Sequence, residues 1–219
     1  MRKVPLSDKQ AGDPSQNIKK NLSVYWLALC VGVCSLIFQA AGMQELLRYS
    51  RHEIISGQWW RILTGNLVHL GYSHLLLNLS GLAVIVFLLS PAMPVRHWVL
   101  TGSISMLGVG FGLLLLDPQL VWYVGLSGAL YGLLLGGAIA FFRHDRLMAV
   151  LIGGYTVGKI IWEQINGPVH SSELLSGGNV IVNAHLYGMI AGGITATVLA
   201  VVSHRHRLAD QATQNRQDH

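Results

Sequence analysis

The stretch that decides the fold and chemistry of this chain reads Gly125-Leu126-Ser127-Gly128-Ala129-Leu130-Tyr131-Gly132. It lies in a run without charged residues from position 118 to position 142. A small hydroxyl between glycines, at the predicted start of a membrane helix, serves either packing or nucleophilic chemistry. His185 favours chemistry, because it also lies in an uncharged stretch, Asn183-Ala184-His185-Leu186-Tyr187-Gly188, and would supply the base that a serine nucleophile needs.

The composition is that of a membrane protein. The chain has 219 residues, of which 52% are hydrophobic and 11% charged, whereas soluble domains carry about 25% charged residues. The pI of 9.4 does not indicate nucleic acid, because Lys and Arg fall in tails and short loops and form no stripe with interleaved aromatic residues.

Six segments meet or approach the roughly 20 apolar residues that a membrane-spanning helix needs. The predicted spans are 22–42, 68–90, 97–116, 124–142, 147–164 and 181–203. The fold class is therefore an all-α polytopic membrane protein, a six-helix domain over 22–203 with an N-terminal tail at 1–21 and a C-terminal tail at 204–219. The fifth span is the weakest, since Lys159 and Glu163 interrupt it. Their spacing of four permits an ion pair near the helix end, where long side chains can reach water.

Segment 43–66 does not fit a span, because charged residues alternate with tryptophan and aliphatic residues. This mixture predicts short amphipathic helices at the membrane interface. The six tryptophans lie at or near predicted helix ends or the interface, as in an aromatic belt.

The basic residues predict the orientation. With the N-terminus inside, inner segments hold eleven Lys and Arg residues and outer segments hold four. That bias favours a cytoplasmic location for both termini. Ser127 and His185 then share a depth, a few residues below the outer surface.

The sequence predicts a Ser127–His185 dyad. A serine hydroxyl needs a base within hydrogen-bond reach, and an apolar site favours the neutral imidazole that can accept its proton. Tyr131, one turn after Ser127, is positioned to pack against the imidazole. Neither segment contains an Asp or Glu that could complete a triad.

Glycine spacing predicts how the two helices meet. Gly128, Gly132 and Gly136 recur every four residues, and Gly188 and Gly192 follow His185 on one face. Small residues at this spacing let helix backbones approach closely in lipid. Packing alone is the alternative explanation for these glycines.

Acyl transfer also needs hydrogen-bond donors for a tetrahedral oxyanion. His74 and Asn78 are four apart on the second helix and face one side, and the backbone amides near Ser127, at Leu126 and beside Gly125, could join them. Interhelical hydrogen bonding is the alternative for Asn78. His69 is predicted to tie the loop before that helix. No cofactor is expected, and a zinc site at the three histidines is disfavoured because no carboxylate is near and no His-Glu-x-x-His motif exists.

The ordered motifs resemble those of rhomboid intramembrane serine proteases. They are Trp60-Arg61, His74-x-x-x-Asn78, Gly125-Leu126-Ser127-Gly128 and Ala184-His185-x-x-Gly188-x-x-x-Gly192. The resemblance implies Ser127 as nucleophile, His185 as base, His74 and Asn78 at the oxyanion, and a loop at 117–124 that dips into the membrane. The chain departs from the family pattern at one place. Many rhomboids carry a Glu near the inner end of the second helix, where this chain reads Leu88-Leu89-Ser90-Pro91.

Within the family, this chain resembles the rhombosortase branch. The resemblance lies in the short six-helix form and in two stretches of this sequence, Trp162-Glu163-Gln164 and Ala184-His185-Leu186-Tyr187-Gly188. This resemblance implies cleavage near the outer face of the bacterial inner membrane, on exported proteins anchored by a C-terminal Gly-rich motif, one helix and a basic tail. Two alternatives stay open: transfer of the new C-terminus to an amine-bearing lipid head group, and a non-catalytic binder of membrane proteins. A transporter is disfavoured, because no inverted repeat is visible.

Overall fold

Long helices account for most of the chain in the computed structural model, which describes residues 14–217 and the side chains of residues 22–215. Residues 1–13, most of the predicted N-terminal tail, lie outside the described residues. The elements in order are α1 Pro14–Ala40, α2 Gln44–Leu47, β1 Tyr49–Ser50, α3 Arg51–Ile55, α4 Arg61–Thr64, α5 Tyr72–Leu89, α6 Val95–Leu116, β2 Trp122–Tyr123, α7 Ser127–Phe141, α8 Arg146–Asn166, α9 His170–Ser176 and α10 Val182–Gln217.

Each predicted span contains one long helix: α1, α5, α6, α7, α8 or α10. Four of them are long and apolar enough to cross a membrane by length and composition, at Leu22–Ala40, Tyr72–Leu89, Val95–Leu116 and Val182–Asn215. Helix α7 is apolar but has only 15 residues, and α8 carries charged residues. The predicted all-α polytopic membrane fold is confirmed.

Several helix boundaries differ from the prediction, among them the start of α5, which is at Tyr72 and not at 68. Helix α7 begins at Ser127 and not at 124, because Gly125 has φ +126°, outside the right-handed helical region. Helix α10 continues to Gln217, through a segment predicted as a tail, since 204–217 contains no Pro or Gly to end it. Helix α1 begins at Pro14, a residue whose fixed φ suits the first helical position.

Helices α7 and α10 form the closest interface of the bundle. An ideal Cβ built on Gly128 lies 2.6 Å from the carbonyl oxygen of Ala184, so there is no room for a side chain. Farther along, the positions of Gly188 and Gly192 face the backbones of Gly128 and Gly132 in the same way. The two glycine faces therefore meet, as the small-residue spacing predicted.

A two-residue ladder, which the sequence did not predict, connects the segment after α1 to the loop before α7. Strands β1 and β2 are antiparallel, with Tyr49 opposite Tyr123 and Ser50 opposite Trp122. The amide of Gly125 donates to the carbonyl of Gly65 at 3.0 Å. The loop that leads into Ser127 is thus fixed by backbone hydrogen bonds at Trp122, Tyr123 and Gly125.

The predicted short helices in 43–66 are present as α2, α3 and α4. Arg61, at the start of α4, is not an interfacial side chain but a buried one, 6% exposed. Its guanidinium donates to the carbonyls of Glu45 and Arg48, both at 2.9 Å, and to Oε1 of Gln58 at 2.7 Å. Because these donors reach three parts of one segment, Arg61 holds the segment together.

The tryptophan prediction is wrong for one residue. Trp98, near the start of α6, is 3% exposed and belongs to the core formed by α1, α5, α6 and α7. The other five are at least 40% exposed, as residues that contact lipid or its interface would be.

Candidate active site

Ser127 and His185 are in direct contact. Ser127 is the first residue of α7, and His185 lies in the first turn of α10. The distance between Ser127 Oγ and His185 Nε2 is 2.9 Å, which is a hydrogen bond. The ring of Tyr131 lies 4.7 Å from the imidazole ring, centroid to centroid, with a tilt of 44°. Two helices held together by glycines therefore position a hydroxyl, a base and an aromatic ring.

A carboxylate on a third helix also contacts His185. Oε2 of Glu163, on α8, lies 2.8 Å from Nδ1 of His185, and Lys159 donates to Oε1 of the same carboxylate. The sequence-based search for an acid did not find Glu163, since it considered only the segments that contain Ser127 and His185. The Lys159–Glu163 pair is present as predicted, but Glu163 is 2% exposed and does not reach water. The rule that ionisable residues in a span face the bundle interior was the signal that could have revealed this contact.

His74 and Asn78 lie on α5, across from Ser127. Both are buried and line the same cavity as Ser127 and His185. The amide of Asn78 donates to the carbonyl of His74 at 3.1 Å, and the backbone amide of Leu70 approaches Nδ1 of His74 at 3.4 Å. An amide nitrogen has two hydrogens, so this bond leaves Asn78 a second one with which to donate.

His69, which was predicted to tie the loop before the second helix, packs against His74. The two rings meet edge to face with centroids 5.1 Å apart, and His69 is fully buried. Among the described residues, neither ring nitrogen of His69 has a hydrogen-bond partner. Burial lowers the pKa of His69 to about 3, and the neighbouring His74 acts in the same direction. His69 is therefore neutral and stabilises the position of His74 by packing.

The turn before α7 determines which backbone amides face Ser127. Gly125 is not a free donor, because its amide is bonded to Gly65. Its carbonyl accepts from the Tyr123 hydroxyl at 2.6 Å, and burial raises the pKa of Tyr123, so that this hydroxyl stays protonated. A side chain on Gly125 would also meet the ring of His74, 2.8 Å from Cε1. The first helical bond of α7 runs from Leu130 to Leu126, so the amides at the helix start have no partner within the helix.

His74, Asn78, Ser127, Glu163 and His185 line a cavity of about 830 Å³, together with Lys159. Part of the lining is apolar and comes from α5, α7 and α8: Leu77, Gly81, Ile85, Leu130, Leu134 and Tyr155. A largely apolar cavity with a few converging polar groups suits an extended peptide segment. Within 22–215, no three His, Cys, Asp or Glu side chains are grouped so that they could hold a metal ion.

The fold corresponds to a known class of membrane protein. Residues 56–201, most of the chain, match the Rhomboid domain, and the chain belongs to the rhomboid family. Rhomboids are multi-pass intramembrane proteases that act on membrane-protein substrates. The chain is similar to the protein named "Putative rhomboid protease YdcA" of Bacillus subtilis (strain 168), with 29% identity over 162 residues, which cover 70% of this chain and 73% of that protein.

Proposed function

We propose that this chain is an intramembrane serine endopeptidase with Ser127 as nucleophile and His185 as general base. The observation that carries the proposal is the 2.9 Å contact between Ser127 Oγ and His185 Nε2 in the wall of a cavity that can take a peptide. A serine hydrogen-bonded to a histidine is the arrangement that activates a hydroxyl for acyl transfer.

The first half of the reaction forms an acyl-enzyme. Ser127 Oγ attacks the scissile carbonyl carbon while its proton passes to His185 Nε2. The carbonyl oxygen becomes an oxyanion, which accepts hydrogen bonds from Asn78, His74 and the amides at the start of α7. When the C–N bond breaks, His185 returns the proton to the leaving amine, and the new C-terminus stays esterified to Ser127.

The second half releases the product. Water gives a proton to His185 and attacks the ester, after which Ser127 leaves and takes that proton back. The product then has a free carboxylate. Transfer is the alternative outcome, in which an amine-bearing lipid head group replaces water in this step and forms an amide.

We infer that the substrates are exported proteins with a C-terminal Gly-rich motif and one membrane helix. The resemblance to rhombosortases supports this inference, as does the apolar part of the cavity lining. Glycine lowers helix stability by about 1 kcal/mol per residue relative to alanine, so a Gly-rich segment unwinds into the cavity at low cost. The basic-residue bias supports cytoplasmic termini and a site that opens toward the periplasm across the inner membrane.

The test compares the wild type with Ser127→Ala and His185→Ala, purified and assayed on a substrate with a Gly-rich anchor. Both variants should lose cleavage, while Glu173→Gln, whose side chain does not line the cavity, should keep it. Normal cleavage by either alanine variant would refute the proposal. Mass spectrometry of the product's C-terminus separates hydrolysis, which leaves a carboxylate, from transfer, which leaves an amide to the lipid amine.

A further inference from the structure

We propose that Glu163 is a positioning residue for the reaction. Its carboxylate holds His185 in the tautomer whose Nε2 can accept the proton of Ser127, and Lys159 determines which oxygen of Glu163 faces the imidazole. The proposal rests on the proposed protease function. It adds α8 to α5, α7 and α10, the three helices that carry the other groups of the proposed chemistry.

Both ring nitrogens of His185 have a hydrogen-bond partner in the site. Oε2 of Glu163 lies 2.8 Å from Nδ1 of His185, and the opposite ring nitrogen, Nε2, lies 2.9 Å from Ser127 Oγ. The side chains of Glu163 and His185 are 2% and 7% exposed. A short hydrogen bond between buried groups fixes the ring in both position and rotation, which an aromatic contact with Tyr131 alone does not do.

A carboxylate at Nδ1 decides where the imidazole proton lies. A carboxylate only accepts hydrogen bonds, so Nδ1 must carry the hydrogen, and the Nε2 lone pair then faces Ser127. When Nε2 takes the serine proton, both ring nitrogens carry hydrogens and the imidazolium is stabilised by the adjacent anion. Glu163 takes up no proton in either step.

Lys159 makes a buried carboxylate possible. Its side chain is 19% exposed, and its ammonium donates to Oε1 one turn away on α8. The ammonium offsets the charge of Glu163, which would otherwise be costly to bury. Because Lys159 occupies Oε1, Oε2 is left for His185. A purely structural ion pair between Lys159 and Glu163 would not require the carboxylate to contact the imidazole.

Replacing Glu163 by glutamine tests the tautomer. Lys159 has only donors, so it will hold the amide oxygen and turn the amide NH₂ toward His185. Nδ1 must then accept, the proton moves to Nε2, and Nε2 can no longer accept from Ser127. We expect Glu163→Gln to lower kcat by up to about 10⁴-fold, the loss that a wrong tautomer causes in a soluble serine protease, with KM changed less than about threefold. The matched control Glu173→Gln should stay at the wild-type rate.

A pair of double variants tests the same idea without leaving a lone buried charge. In Lys159→Met with Glu163→Gln, the amide can turn its oxygen to Nδ1 and restore the tautomer. In Lys159→Met with Glu163→Leu, nothing can accept from Nδ1. The glutamine double variant should exceed both the leucine double variant and the Glu163→Gln single variant by at least about tenfold in kcat. Equal rates for the two double variants would overturn the proposal, as would wild-type kcat in folded Glu163→Gln.

Ser127→Ala separates the two levels of inference. If Ser127→Ala is inactive and Glu163→Gln is fully active, only the role of Glu163 is wrong. If Ser127→Ala still cleaves, the proposed function is wrong, and ¹⁵N spectra of histidine-labelled protein then test Glu163 directly. The wild type should show the His185 hydrogen on Nδ1, and Glu163→Gln should show it on Nε2. An unchanged spectrum would refute the tautomer argument.

Discussion

Replacing Gly128 by alanine puts a methyl group into the interface that joins α7 to α10. An ideal Cβ at this position lies 2.6 Å from the carbonyl oxygen of Ala184 and 2.6 Å from Cγ2 of Val109. The Ala184 carbonyl is backbone and moves only with α10, and Val109 is fully buried in the core. Ordinary contact begins at 3.4 Å, so α10 must retreat by about 0.8 Å (3.4 − 2.6), because packed interfaces have no spare volume.

That displacement occurs where the proposed chemistry takes place. Gly128 follows Ser127, and Ala184 precedes His185, so the Oγ–Nε2 distance of 2.9 Å becomes about 3.7 Å, too long for a hydrogen bond. Misplacing reacting groups by about 1 Å costs about 10²-fold in rate. We therefore expect Gly128→Ala to lower kcat about 100-fold and the free energy of unfolding by about 1–3 kcal/mol, the cost of overpacking.

The assay is the initial rate of cleavage of a Gly-rich anchored substrate by purified protein in vesicles, with thermal unfolding measured in parallel. Gly154→Ala on α8 is the matched control, since a Cβ there meets no atom within 4 Å, and it should be fully active. Gly136→Ala, two turns further along α7, meets the Thr101 side chain at 2.8 Å and should lose stability with little change in kcat. The reasoning fails if folded Gly128→Ala has wild-type kcat, or if Gly136→Ala lowers kcat as much as Gly128→Ala does.

Three further predictions test other parts of the structure. Asn78→Ala should lower kcat about 10²–10³-fold with KM unchanged in the same assay, because one oxyanion donor is lost; a loss below about tenfold would mean that backbone amides dominate. Arg61→Lys cannot reproduce the guanidinium fork and should lower the free energy of unfolding by about 2–3 kcal/mol in chemical denaturation, whereas an unchanged midpoint would contradict the role of Arg61. Burial holds the pKa of His69 at about 3, below the 6.5 of the unfolded chain, so the unfolded state binds more protons between these values and stability falls as pH falls through this window. Between pH 7 and pH 5 the free energy of unfolding falls by about 2 kcal/mol through His69. His69→Gln should remove this contribution and so reduce the difference between the unfolding midpoints measured at the two pH values. An unchanged difference would rule out His69 as its source.

The helices of this chain could be predicted because lipid imposes a simple requirement. A span must satisfy its backbone internally and present apolar side chains, so composition alone locates it within a few residues. The errors lie at helix ends. At Gly125 a positive φ delays α7, and beyond 203 the polar residues of α10 remain helical although they no longer resemble a span.

The connection between β1 and β2 was not predictable in this way. Each strand has two residues, which is too short for an alternating pattern to be read from the sequence. The burial of Arg61 was hidden for a related reason, since its partners are mostly backbone carbonyls and carbonyls carry no sequence signal. The sequence does show the arginine, whose guanidinium can donate to several carbonyls at once.

Glu163 was missed because chain order says little about which face of one helix meets another. Lys159 and Glu163 share a face at a spacing of four, and this was visible; that the face points to His185 depends on how α8 packs on α7 and α10. The energetics nevertheless constrain the answer. The cost of inserting an isolated acid or lysine reaches about 2.5–3.5 kcal/mol at the centre of a span, so two such residues in the last part of α8 are expected to face each other and the bundle. A paired carboxylate in that position has one oxygen committed to the lysine on its own helix and one directed at a neighbouring helix, where a buried histidine with a second ring nitrogen to satisfy is the natural partner. The charge pair that weakens α8 as a predicted span is thus the feature that links α8 to the proposed active site.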